Sequence, residues 1–206
     1  MVARREADEV PEEFSRALAA IRAATPRSEV VLEETPAPQR LAPYAVALTA
    51  DVVSPLDPDI EIGTGRLVLL HDPAGHEAWQ GTFRLVTYVR AELEHEMAAD
   101  PLLPGVGWAW LTESLDSHQA GFTAASGTVT RVASESFGAI AGEAASAQIE
   151  IRASWTPREG RGGAPDTAAH LVAWGDLLCQ IAGLPPSGAA DAAVVTLPQR
   201  RGPQVP

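Results

Sequence analysis

Residues 71–77 read HDPAGHE, so two histidines and two carboxylates lie within seven positions. Imidazole and carboxylate both bind divalent metals and both act as general acids or bases, which makes this stretch the first candidate for hydrolytic chemistry. Asp72-Pro-Ala-Gly also carries turn chemistry: Asp at the first position, Pro with its preset φ at the second, Gly at the fourth. If these four residues close a hairpin, His71 and His76 face each other with Cβ atoms ~4.5–5.5 Å apart and could chelate a metal. A catalytic metal needs a third ligand. Asp72 and Glu77, each one residue out of phase with a histidine, point elsewhere in a regular strand, leaving His95, Glu96 or His118 as distant candidates. The plainer reading is a hairpin corner in which Asp72 caps its own turn and Glu77 is solvated. It is preferred because H-x4-H-E lacks the helical i, i+4 pairing of a zinc-protease motif. His71 and His76 stay as the metal-binding alternative, with a divalent cation as its cofactor; the leading reading requires none.

Other reactive groups point less clearly to a site. ELEHE, Glu92 to Glu96, sets a histidine among carboxylates that would act as acids only if buried, and a solvated acidic face is expected. Cys179 and His170 share one predicted helix but stand nine residues apart. That is ~13.5 Å along the axis, beyond hydrogen-bond reach, so Cys179 is expected to be a small buried apolar residue. There is no G-x-S-x-G elbow, and GTGR at Gly63–Arg66 lacks the length and the lysine of a phosphate-cradling loop. Of the five tryptophans, core packing accounts for most. Trp79, beside the turn, and Trp108 and Trp110, after a Pro-Gly loop, are the candidates for exposed binding anchors.

Composition narrows the function classes. The 206-residue chain is 46% apolar, with a formal net charge of −12 and no lysine or asparagine. Between Glu29 and Asp116 fifteen acidic residues stand against Arg40, Arg66, Arg84 and Arg90. A phosphate backbone would be repelled by that stretch, so direct nucleic-acid binding is not expected. No apolar run reaches the ~18 residues of a membrane span. A single cysteine excludes an intrachain disulfide, and MVARREADEVPEEF places acids where a signal peptide has its apolar core; a cytoplasmic protein is expected.

The elements that must position these residues follow from periodicity and punctuation. Pro11–Ala24 predicts a helix with Phe14, Leu18 and Ile21 on one stripe. Strands are expected at Val30–Glu34, Tyr44–Val52, Ile60–His71 and from Thr82 to about Arg90, the last followed by helix through Ala98. Residues 82–98 fit a helical stripe almost as well, and β-branched and aromatic content decides for strand. WAWLTESLDSH predicts a helix, with a strand from Val106 as the alternative; GTVTRVASESFG and AQIEIRASWTP predict an antiparallel pair. A final helix, capped at Asp166 or Thr167, carries Leu171, Trp174, Leu178 and Ile181. The expected fold is a single α+β domain over residues 11–183: a mainly antiparallel sheet of about six strands with helices on one face. Residues 1–10 are expected to be flexible and 184–206 a disordered Pro/Ala/Gly-rich tail.

RLVLLHDPAGHEAWQGTFRLVTYVRAELE, DPLLPGVGWAWLTESLDSH and IEIRASWTP together resemble an actinobacterial family known as domain of unknown function 3000. The resemblance runs from the first helix to Gly183. It implies a compact cytoplasmic domain and assigns no role to any residue. The function expected is a non-enzymatic interaction or regulatory domain with an acidic surface, a protein partner and room for a homodimer; the alternative is a metal-assisted hydrolase or small-molecule-binding protein using His71 and His76.

Overall fold

The computed structural model describes residues 10–142, 145–160 and 162–186. The loose ends expected at 1–10 and 184–206 lie outside the described residues except for Val10 and residues 184–186. Chain order is α1 (Glu12–Ala23), β1 (Val30–Thr35), β2 (Tyr44–Val53), β3 (Glu61–His76), β4 (Gly81–Leu93), α2 (His95–Ala99), α3 (Leu103–Ser117), β5 (Phe122–Ser134), β6 (Ser146–Pro157) and α4 (Thr167–Ile181). The six strands form one sheet in the order β1-β2-β3-β4-β6-β5, antiparallel throughout, with the helices packed on one face. This is the α+β arrangement expected from runs of adjacent strands punctuated by helices, without βαβα alternation.

The main core lies between sheet and helices. Alternate residues of the strands, among them Val46, Leu48, Leu67, Leu69, Leu85 and Ile151, meet Phe14 of α1, Leu111 and Leu115 of α3, and Trp174, Leu178 and Ile181 of α4. Strand pleat sends their neighbours to the opposite face. There Ala47, Val68 and Leu70 make a smaller cluster, covered by Ala37, Ala42 and Trp79 from loops. Helix α4 sits at the centre of its layer, flanked by α1 and α3. Its N-cap Asp166 accepts the Ala169 N–H at 3.1 Å, and Gly183, at φ 81°, follows its end.

Residues 82–98 resolve as strand to Leu93 and a short helix from His95. The strand alternative at Val106 is overturned, because the predicted helix starts earlier, at Leu103. Asp100 accepts the Leu102 N–H at 2.8 Å and Pro104 sits in the first turn, where its missing donor costs nothing. DPLLPG therefore contains the helix start.

The hairpin after β3 differs from expectation. Asp72–Gly75 do not reverse the chain. Five steps of β3, from His71 to His76, oppose two steps of β4, from Phe83 to Gly81, so the turn-forming residues make a bulge within the strand. Asp72 does cap locally, accepting the Ala74 N–H at 3.0 Å, and Gly75 takes φ 75°. The reversal itself is a 3-10 turn at Glu77–Trp79, closed by Gln80 in the left-handed region at φ 58°. Trp79 drives this placement by folding back onto the Val68–Leu70 cluster. Its carbonyl accepts the Thr156 hydroxyl of β6.

Close approach of α4 to the sheet depends on a glycine. A Cβ at Gly65 would lie 2.7 Å from Leu178 Cδ2 and 2.8 Å from Trp174 Cζ2. Gly65→Ala should therefore force α4 outward and cost about 1–3 kcal/mol, read as a fall in melting temperature. An unchanged transition would show that the helix does not rest on β3 as described.

Candidate functional site

His71 lies on the helix-facing side of β3, 1% exposed. Its ring stacks on Phe83 at 4.1 Å and is flanked by Phe14 at 5.9 Å and Tyr44 at 6.0 Å. Nδ1 stands 3.1 Å from the Thr82 carbonyl, and Nε2 faces Oε1 of Glu13 at 3.5 Å without a hydrogen bond. Both neighbours are acceptors. The ring thus joins α1 to the sheet inside an aromatic box. His76 is exposed and stacks on Trp79 at 5.0 Å. The two histidines do not oppose each other across the ladder: His71 pairs with Phe83 and His76 with Gly81. Among the described residues no group of three or more His, Cys, Asp or Glu could hold a metal ion. His95 and Glu96 are exposed on α2, and Glu92 is exposed on β4.

His118 belongs elsewhere. It caps the end of α3, and its Nε2 lies 2.6 Å from Asp176 Oδ2 on α4. A recess of about 250 Å3 beside this pair is lined by Glu113, Ser114, Ser117, Gln180 and Pro186. The Ser117 hydroxyl donates to the Ser114 carbonyl at 2.9 Å, so it is spent within its own helix turn. The pair holds α3 to α4. Sequence spacing gave no sign of it, because the partners are 58 residues apart.

His170 and Cys179 are both buried on α4. Trp155 Nε1 donates to His170 Nδ1 at 3.2 Å, an arrangement that needs the neutral ring. Burial pushes this imidazole well below its usual range, to about 4, opposed only in part by Asp166 and the Gly121 carbonyl. Burial likewise raises the Cys179 thiol to about 11, in keeping with the expected inert core residue.

Arg84 was not singled out in the sequence, although an arginine within the apolar alternation of TFRLVTYV was the available signal. It is 6% exposed on the face away from the main helices. Its guanidinium donates to the carbonyls of Ala124 (2.9 Å) and Ser154 (3.2 Å) and to the hydroxyls of Thr156 (3.0 Å), Ser126 (3.3 Å) and Ser154 (2.7 Å). Every acceptor is neutral, and desolvation lowers its affinity for the proton. Arg84 so fastens β4, β6 and the irregular start of β5, where Ala124 adopts φ 49°.

Trp108 and Trp110 are half-buried and pack on the main core; Trp79 is half-buried on the smaller cluster. Trp110 also lines a surface recess of about 130 Å3 with Met97, Asp100, Leu103 and Val106. This recess belongs to an apolar corner. Met97 (42% exposed) lies on α2, Leu102 (69%) just before α3 and Val106 (40%) on α3, while Phe137 (74%) and Ile140 (52%) lie on the connection after β5. Arg131 of β5 joins the two groups by donating to the carbonyls of Ala98 and Asp100.

A family model described as Protein of unknown function (DUF3000) matches residues 10–190. The chain belongs to that family. No curated protein and no solved structure matches this DUF3000 chain.

Two substitutions test these assignments. Arg84→Met should cost about 2–4 kcal/mol, because several buried acceptors lose their donor; a loss within ±0.5 kcal/mol in chemical denaturation would show that the acceptors find water instead. For His170 the folded state disfavours the proton that an unfolded histidine takes up near ~6.5. Its stabilising contribution is therefore present above that pH and is lost as pH falls from ~6.5 towards about 4, by up to about 3 kcal/mol. Denaturation measured across this window should show the slope, and His170→Gln, which keeps an acceptor for Trp155, should flatten it.

Proposed function

We propose that this chain is a non-enzymatic, cytoplasmic protein-interaction domain that binds its partner through the apolar corner formed by α2, the start of α3, the end of β5 and the β5–β6 connection. The observation that carries this reading is the concentration of exposed apolar side chains there. Of the eleven exposed large apolar residues among the described residues, five belong to this corner, namely Met97, Leu102, Val106, Phe137 and Ile140, while Val132 lies on the other face of β5. Single exposed apolar residues are ordinary, whereas a contiguous group marks an interaction surface. Trp110, at the floor of the recess, supplies the aromatic anchor that such surfaces favour. Trp108 packs on the main core, and Trp79 packs on the separate Ala47, Val68 and Leu70 cluster, away from this corner. The acidic character of the rest of the chain would keep it soluble and discourage indiscriminate contacts.

His71 and His76 support the metal-assisted alternative less well. One ring is enclosed by Phe14, Tyr44 and Phe83, and the other rests on Trp79 at the surface.

A double substitution, Leu102→Asp with Phe137→Asp, tests the proposal. Both side chains are largely exposed, so the melting temperature should stay close to that of the parent, while stoichiometric association seen by co-purification and crosslinking should disappear. A control at the other end of the sheet, Val31→Asp, should leave association intact. Equal association in parent and double variant would overturn the reading.

A further inference from the structure

We infer that the occupant of this corner is a second copy of the chain, added strand to strand along the free edge of β5; the inference rests on the interaction reading above and names its partner. Among the described residues, strand β5 is the last in the sheet, bonded to β6 on one side only. From Ser126 to Ser134 its pairing with β6 is regular, and eight of these nine residues are exposed. An edge of this length displays a row of backbone donors and acceptors that another strand can pair with. Natural edges are commonly blunted by charge, proline or brevity. Here FTAASGTVTRVAS has no proline, no carboxylate and a single cation, Arg131, already engaged by the carbonyls of Ala98 and Asp100.

The opposite edge shows what protection looks like in the same molecule. Strand β1 has six residues, two of them Glu33 and Glu34, and Glu34 is held in a bidentate pair by Arg22.

Three features favour a second copy over an unrelated strand. An antiparallel pair of identical strands is self-complementary about a two-fold axis, and every pairing already present in this sheet is antiparallel. Two chains that each carry a net charge of −12 repel unless they meet where carboxylates are absent, and β5 is such a strip. The contact is also large enough. Nine residues span ~30 Å, and the sheet and helix layers together stand ~20 Å tall, giving roughly 600 Å2 from each chain, at the lower end of stable interfaces. Leu102, Val106 and Met97 would supply its apolar part in the helix layer, and Val132 its part on the other face.

Sedimentation equilibrium on the full chain, combined with amide hydrogen exchange, tests the inference. The expected result is a reversible dimer whose β5 edge amides gain protection as concentration rises. Thr128→Lys and Val132→Lys should each weaken dimerisation roughly ten-fold or more while leaving the monomer's melting temperature unchanged. Cys179 is buried, so single cysteines placed along Ser126–Ser134 provide the one accessible thiol per chain; disulfide-linked dimers should form only at the residue nearest the two-fold axis. A monomer at all concentrations, or a dimer indifferent to both lysine variants, overturns the second-copy inference. If the chain is monomeric and the Leu102→Asp, Phe137→Asp double variant still abolishes binding of another protein, the interaction reading survives its loss. If neither property changes, both fall.

Discussion

The fold depends on how closely α4 can lie on the middle of the sheet. Trp174 provides the contact: its indole is fully buried, its ring edge lies over Gly65, and its N–H donates to the Thr87 hydroxyl at 2.8 Å. That hydroxyl donates in turn to the Arg66 carbonyl at 2.9 Å, so the helix, β4 and β3 are joined by one short chain of hydrogen bonds. A buried tryptophan removes ~150–250 Å2 from water, which is about 4–6 kcal/mol at ~25 cal/mol per Å2. The stabilisation is available only because no Cβ stands at residue 65. Helices α1 and α3 then pack against the flanks of α4, and their own apolar stripes reach the strands on either side.

Much of this was legible in the chain because local signals and burial agree. From Leu48 to Val53, β2 alternates in type as it alternates in exposure, and α4 carries Leu171, Trp174, Leu178 and Ile181 on the face it buries. Where expectation and structure part, a tertiary contact has overruled a local preference. DPAG has every residue a reversing turn requires, yet the chain reverses several residues later because Trp79 finds apolar surface across the sheet. DPLLPG shows the converse, since a proline that ends one pattern can open the next helix.

The groups able to do chemistry were harder to place, for a physical reason. Whether a histidine is a ligand, a base or a packing unit depends on partners far away in sequence. His71 meets Glu13 and Phe14 from α1, His118 meets Asp176, and His170 accepts from Trp155. Local spacing holds none of this information. Arg84 is the same case in a sheet: its acceptors come from β5 and β6, 40 to 72 residues onward. Its charge is spread over hydroxyls and carbonyls, which suits a broad, weakly hydrated guanidinium better than it would a compact ammonium.

The two sheet edges are unequal, and the inequality sets a valence. One border is long and nearly uncharged; the other is short and carries adjacent glutamates. A strand joined to the first border uses up that border on both molecules at once, and what then faces solvent at either end is the acidic one. Growth by strand addition has nowhere to continue. A fold that left both borders bare could add copies without limit, whereas pairing through β5, as inferred above, would leave only the acidic border outermost.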